Sequence, residues 1–223
     1  SDFEGMWSLA IWDDNKKELI LSRDRFGQKP LYYFWDEQNF YFGSQINQIL
    51  ALSKNNNTFN SQKILDYLGS GYRVLFKNEE TFYKNIYNFP QSSYAVIKDK
   101  NLSIKKYWKL NSKINHKLNF NDAKIELKYL LNKSIKNCLV SDQKVSMMLS
   151  GGVDSNIIYQ LINNQIGREI STFSIIDEDK RYDESKLIKK ALNDSKNENQ
   201  LIDSDHMFKF DMVENLKKKI EFY

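Results

Sequence analysis

The apolar run Val145 to Leu149 is followed by Ser150-Gly151-Gly152-Val153-Asp154-Ser155, and Asn156-Ile157-Ile158-Tyr159-Gln160-Leu161-Ile162 comes next. That order reads as strand, tight glycine loop, helix. Paired glycines let the backbone bend sharply and bring its N–H groups close to an anion. The positive dipole end of the following helix adds to the attraction. Ser150 and Ser155 offer hydroxyl donors. Asp154 would repel phosphate directly, so in a phosphate site it makes sense only beside a cation such as Mg²⁺. Such a loop suits the pyrophosphate end of ATP. Gly-Gly alone would equally serve an ordinary strand-to-helix turn with Asp as a helix cap. The full string in this context favours phosphate binding.

Other nucleotide loops are excluded. No Gly-x-x-x-x-Gly-Lys-Ser/Thr string and no Gly-x-Gly-x-x-Gly string occurs. The net charge of +4 over 223 residues is small, and Lys is spread along the chain, so nucleic-acid binding is not indicated. Lys217-Lys218-Lys219 reads as a solvated helix face. No apolar run reaches the roughly eighteen residues that a membrane span needs, and the first residues carry no signal-peptide pattern. Cys138 is the one cysteine, which fits a reducing compartment, and it is expected to be a small buried hydrophobe. His116 and His206 lack Cys or His neighbours at ligand spacing, so zinc is not expected.

Two patterns divide the chain. Trp7 to Trp12, Glu18 to Arg23, Leu31 to Trp35 and Asn39 to Gly43 are short, aromatic-rich and separated by turn residues, as expected of an antiparallel sheet of meandering hairpins. Ser44 to Leu52 and Ser61 to Leu68 read as short helices capped by Ser44 and Ser61, with Asn55-Asn56-Asn57 as a loop. Phe82 to Tyr87, Ser93 to Lys98 and Ser103 to Trp108 return to strand. Leu110 to Asn119 is polar and marks the boundary. Beyond it, a helix from an Asn121 or Asp122 cap carries Leu127, Leu130, Leu131, Ser134 and Cys138. The strand at Val145, a helix to Gly167, a strand Ile170 to Ile176, a helix through Leu187, Ile188, Ala191 and Leu192, a strand Gln200 to Ile202 and a helix with Val213, Leu216 and Ile220 follow. Alternation of this kind implies a parallel sheet whose ligands bind at the carboxyl ends of strands. Both chain ends fall inside patterned segments, as expected of a piece of a longer protein.

With these residues in view, the chain resembles glutamine-dependent asparagine synthetases. One stretch is Phe3-Glu4-Gly5-Met6-Trp7-Ser8-Leu9-Ala10-Ile11-Trp12-Asp13, continuing to Ser22-Arg23-Asp24-Arg25-Phe26-Gly27-Gln28-Lys29-Pro30-Leu31-Tyr32-Tyr33. The other is Val145 to Ser155 with Ser171-Thr172-Phe173-Ser174-Ile175 and Arg181-Tyr182-Asp183-Glu184-Ser185. The resemblance implies two truncated domains. Residues 1–110 would be the later part of a class II glutaminase domain, an α+β antiparallel sheet of the N-terminal-nucleophile type. Residues 111–223 would begin a doubly wound α/β parallel-sheet domain of the PP-loop ATP-pyrophosphatase type. The implied reaction converts aspartate to asparagine through β-aspartyl-AMP, with ammonia from glutamine and with ATP and Mg²⁺. Ser150, Gly151, Gly152, Asp154 and Ser155 would hold pyrophosphate, Asp154 would face the metal, and Met148 and Ile175 would contact adenosine. Met148 and Ile175 equally suit ordinary strand core, and Asp183 equally suits a helix cap. The segment Arg23 to Pro30 is a family marker without a catalytic role, or else an exposed charged turn. A cytoplasmic location is implied, and the family allows a homodimer of the full-length protein.

Several family features are missing. The N-terminal cysteine nucleophile, the Asn-Gly-Glu segment, the Ser-Gly-Glu-Gly-x-Asp-Glu loop and the adenylation lysine are not in these residues, so no glutaminase activity is expected of this polypeptide alone. Gln45 replaces an acid, Ile176 stands where glycine is common, and Ser92 stands where a Pro-Gly turn is typical. The same fold would also serve a relative acting on a peptide, sugar or β-lactam-precursor carboxylate. A non-catalytic nucleotide-binding or interaction module is the third alternative.

Overall fold

The computed structural model describes residues 3–36, 38–53, 58–112, 118–167, 170–177, 179–192 and 199–203. Two compact units divide the chain, residues 1–112 and 113–211. In the first, strands β1 (Ser8–Asp13), β2 (Glu18–Arg23), β3 (Tyr32–Trp35) and β4 (Phe40–Gly43) precede helices α1 (Ile46–Ser53) and α2 (Ser61–Ser70) and a 3₁₀ turn Gly71–Phe76. Strands β5 (Ile86–Asn88), β6 (Ser93–Lys98) and β7 (Asn101–Lys106) follow.

These strands form two antiparallel sheets rather than one meander. Their orders are β1-β2-β6-β7 and β4-β3-β5. β2 pairs with β6, Leu21 opposite Ala95, instead of with β3. The reason lies between β2 and β3. Asp24 is 1% exposed, and its carboxylate accepts from the N–H groups of Phe26, Gln28 and Lys29, each at 3.0 Å. Burial opposes its charge, but the backbone N–H groups outweigh that, and its carboxyl lies below the usual range. Arg23 is also buried and donates to the carbonyls of Lys29 (2.7 Å), Gly27 (2.8 Å) and Phe89 (2.6 Å) and to Asn88 Oδ1 (2.6 Å). Gly27 has φ 64°, and a Cβ there would stand 3.2 Å from the Arg23 guanidinium. Arg23 and Asp24 therefore form a buried anchor beneath a turn whose Phe26, Gln28, Lys29 and Pro30 are exposed, and this anchor diverts the chain from one sheet to the other. The exposed-turn alternative is corrected for Arg23 and Asp24, which are buried, while the bend that follows them is exposed.

Strand alternation explains the layers. Tyr32 and Phe34 pack with Ile46 and Ile49 of α1. Tyr33, Phe40 and Phe42 pack on the other side with Leu21, Ala95 and Ile97. The second sheet thus lies between the first sheet and the helices. Helix caps differ from expectation. Asn60, not Ser61, caps α2 by accepting from Lys63 N. At α1, Gln48 Oε1 accepts from Gln45 N at 3.3 Å, the back-reach of a capping box, in place of a Ser44 cap. Strand character at Phe82 to Tyr87 is limited to the start of β5 at Ile86 and an isolated bridge of Tyr83 to Phe59, with a turn at 84–85 between them. Ser92 takes φ 52°, the left-handed conformation that a Pro-Gly turn would supply cheaply.

The second unit holds α3 (Phe120–Cys138), β8 (Ser146–Met148), α4 (Val153–Leu161) with a π turn Ile162–Ile166, β9 (Ser171–Ile176), α5 (Ser185–Leu192) and β10 (Asn199–Asp203). Asn119 caps α3, two residues before the earliest expected cap. The strands are parallel in the order β10-β9-β8. They lie in chain order, so among the described residues no reversal of winding marks a doubly wound sheet. Ile135, Leu139, Leu149, Tyr159, Leu161, Ile162, Ile170 and Ile188 form the core.

Cys138 is exposed, which corrects the expectation that it is buried. The buried stripe of α3 is Leu131, Ile135 and Leu139, whereas Leu130, Ser134 and Cys138 lie one helical step aside. The expected helix at Val213, Leu216 and Ile220, the loop at Asn55-Asn56-Asn57, and His116 and His206 lie outside the described residues.

Candidate phosphate-binding site

Ser150 to Gly152 form a loop at the carboxyl end of β8, and Val153 to Ser155 open α4 at its N-terminus, in the order the sequence implies. Both anchors are firm. Leu149 is buried and its N–H donates to Phe173 O of β9 at 2.8 Å. Tyr159, which sequence reasoning did not single out as core, is fully buried and seats α4.

Between these anchors the loop is closed by its own polar groups. Ser150 N–H donates to Ser155 Oγ (3.2 Å), and Gly152 N–H donates to Ser150 Oγ (3.2 Å). The two hydroxyl oxygens are 2.9 Å apart. Asn156 Nδ2 donates to Ser150 O (3.0 Å) and Gly152 O (2.7 Å). Ser150 and Ser155 therefore shape the loop first, and Asn156 clamps it. Gly151 N–H donates to Glu184 Oε2 at 2.8 Å. Sequence reasoning missed the roles of Asn156 and Glu184. Asn156 directly follows the recognised string, and Glu184 sits in the Arg181-to-Ser185 stretch, but neither contact is legible from local pattern.

The two glycines are needed for different reasons. Neither has a positive φ, so a sharp left-handed bend is not the cause. A Cβ on Gly151 would stand 2.9 Å from Leu187 Cδ1 and 3.0 Å from Glu184 Cβ, in the first turn of α5. A Cβ on Gly152 would meet only Ser150 Oγ, at 3.2 Å. Gly151 is thus a packing glycine, and Gly152 is the one whose Cβ direction is open apart from the Ser150 hydroxyl.

Met148 is 57% exposed and Ile175 43% exposed. They share one face of the sheet, since Met148 pairs with Phe173 and Ile175 lies two residues further along β9. Neither Met148 nor Ile175 packs in the core formed by the described residues, and the opposite face carries the buried Thr172 and Ser174. Asp183 stands one residue before the N-cap position of α5, its carboxylate accepting from Ser185 N and Ser185 Oγ, each at 2.9 Å, and these bonds hold its carboxyl below the usual range.

Asp154 is exposed in the first turn of α4. Among the described residues no group of three or more His, Cys, Asp or Glu could hold a metal. One carboxylate fits Mg²⁺ only as an ion carried in on nucleotide phosphates, which is how Mg²⁺ is commonly held. No described helix is long and apolar enough to cross a membrane. In the first unit a cavity of about 380 Å³ is lined by Arg23, Gln28, Tyr32, Ser44, Glu80 and Asn88 among others, and no cysteine lines it.

Comparison with known proteins agrees with both units. Residues 1–108 match the family described as glutamine amidotransferase domain, and residues 126–209 match asparagine synthase. The chain is 33% identical over 195 residues to a putative glutamine-hydrolysing asparagine synthetase 2 of Methanocaldococcus jannaschii, covering 84% of this chain and 36% of that protein. It is 30% identical over 187 residues to the glutamine-hydrolysing asparagine synthetase 2 of Bacillus subtilis, covering 78% and 24%. It is 24% identical over 214 residues to the amidase chyE of Penicillium rubens, covering 86% and 30%. The chain spans about a third or less of the length of these curated relatives.

Proposed function

Since this chain belongs to the glutamine-hydrolysing asparagine synthetase family, we propose that it is part of an ATP-dependent carbon–nitrogen ligase that makes asparagine from aspartate. Residues 1–110 would belong to its glutaminase domain and 111–223 to its synthetase domain, whose sheet would be completed to a doubly wound one. The observation that carries the reading is the closed Ser150–Ser155 segment at the carboxyl end of β8, with the Cβ direction of Gly152 open beside it and the exposed pair Met148 and Ile175 on the neighbouring face.

The chemistry follows from the charges. A carboxylate oxygen of aspartate bonds to the α-phosphorus of ATP, and the bond to pyrophosphate breaks. Ammonia released from glutamine then attacks the acyl carbon of β-aspartyl-AMP, and AMP leaves. Adenylation replaces a poor leaving group with a good one, so the site's task is to position the phosphates and neutralise their charge. The Gly151 N–H and the N-terminus of α4 would face pyrophosphate, with the loop held in shape by Ser150, Ser155 and Asn156. Gly152 would allow close approach, and Gly151 would fix the loop to α5. Asp154 would meet the Mg²⁺ that arrives with ATP. Met148 and Ile175 would pack against adenosine. The whole protein would act in the cytoplasm on ATP, aspartate and glutamine, and assemble as a homodimer.

The amidase relatives, chyE and chry2 of Gibberella zeae, favour a second reading, a related ligase acting on another carboxylate. The test is AMP and pyrophosphate release by the intact enzyme across a panel of carboxylates. Aspartate is expected to give the highest kcat/KM. A peptide, sugar or β-lactam-precursor carboxylate that outperforms aspartate contradicts the first reading and supports the second.

A further inference from the structure

The three loop N–H groups before α4 are satisfied in two different ways. Ser150 and Gly152 donate to neutral hydroxyls belonging to the loop itself. Gly151 donates to a carboxylate that comes from outside it, Glu184. Glu184 stands at the N-cap position of α5, where its carbonyl accepts from Leu187 N (2.9 Å) and Ile188 N (3.1 Å). Its carboxylate bonds to the loop and not to the first turn of that helix, where Asp183 accepts from Ser185 N and Oγ. The Glu184 side chain is therefore spare for the loop, and the close seat of Gly151 against Leu187 and Glu184 Cβ holds it there.

We propose that Glu184 is an intramolecular competitor for the phosphate loop: its carboxylate occupies the Gly151 N–H and must leave when a phosphate oxygen takes that donor. The inference rests on the phosphate reading of Ser150 to Ser155 and adds a regulation of that site. Two anions cannot share one N–H, and each disfavours the other through like-charge repulsion. Phosphate entry would thus release the first turn of α5 from the loop, and removal of the carboxylate would strengthen phosphate binding. A residue that merely braced the loop would give the opposite sign, since its loss would disorder the donors.

Equilibrium binding of inorganic pyrophosphate, with and without Mg²⁺, to the wild-type chain and to its Glu184→Gln and Glu184→Ala variants separates these outcomes. Glu184→Gln keeps an acceptor but removes the charge, and Glu184→Ala removes both. Both variants are expected to bind pyrophosphate about threefold to tenfold more tightly, the range left after an exposed charge-assisted bond is discounted for solvent screening. The Gly151 amide proton resonance is expected to move upfield in Glu184→Ala, and on addition of pyrophosphate to the wild type its contact with Glu184 is expected to be replaced. Unchanged or weaker binding in both variants, with the wild type binding, overturns the competitor role and leaves the phosphate site standing. Failure of the wild type and of both folded variants to bind pyrophosphate overturns the phosphate reading, and the inference with it.

Discussion

Gly151 and Gly152 are neighbours of the same type, yet their surroundings separate them. Adding a methyl at Gly151 drives it into Leu187 and Glu184, with contacts of 2.9–3.0 Å. Overpacking of that kind costs about 1–3 kcal/mol. At Gly152 the new methyl meets only the Ser150 hydroxyl, and the backbone angles, φ −70° and ψ 152°, suit alanine. There the smaller entropy of the unfolded chain, about 0.4–1 kcal/mol, offsets the contact. Urea denaturation should therefore find Gly151→Ala destabilised by about 1–3 kcal/mol and Gly152→Ala within about 1 kcal/mol of wild type. Equal losses would contradict the division of roles. The loop itself was legible in the sequence because its residues are contiguous and flanked by a strand and a helix. The Glu184 contact was not, because 33 residues separate donor and acceptor and only the fold brings them together.

At the scale of elements, α3 shows what pattern reading resolves and where it slips. The helix was legible, but two stripes compete on it. Leu127, Leu130, Ser134 and Cys138 form one, and Leu131, Ile135 and Leu139 the other. The second is apolar at every position, whereas the first runs into Ser134 and Cys138, and the core takes the second. Ile135→Ala should cost about 2–5 kcal/mol, and Leu130→Ala less than about 1 kcal/mol, in urea denaturation. A thiol reagent should label Cys138 in the native protein as fast as an unhindered thiol. Slow labelling, or a larger loss at Leu130 than at Ile135, would place the wrong stripe in the core. Caps slipped for a related reason. Asn, Ser and Asp crowd the ends of α2 and α3, and the residue whose side chain reaches the third N–H is settled by backbone geometry.

For the whole molecule, hydrophobic and turn patterning separated a strand-rich first part from a second part of alternating strands and helices, and each part matches its own family. The division of the first half into two sheets stayed hidden. It depends on β2 pairing with β6 across Leu21 and Ala95, and on the buried Arg23–Asp24 anchor that sends the chain elsewhere in between. Non-local pairing of this kind leaves no trace in a local window. The proposed function rests on one chemical claim, that the loop beyond β8 would hold the phosphates of ATP while a carboxylate is activated. The most direct measurement is exchange of labelled pyrophosphate into ATP by the intact enzyme carrying Asp154→Ala, with Gly152→Val as a second variant that blocks backbone approach without touching the α5 contact. Each is expected to lower the exchange rate by about 10²–10³, the usual loss for one positioned charge-stabilising contact. Exchange at near wild-type rates in both variants would make Ser150 to Ser155 a simple turn and contradict the ligase account.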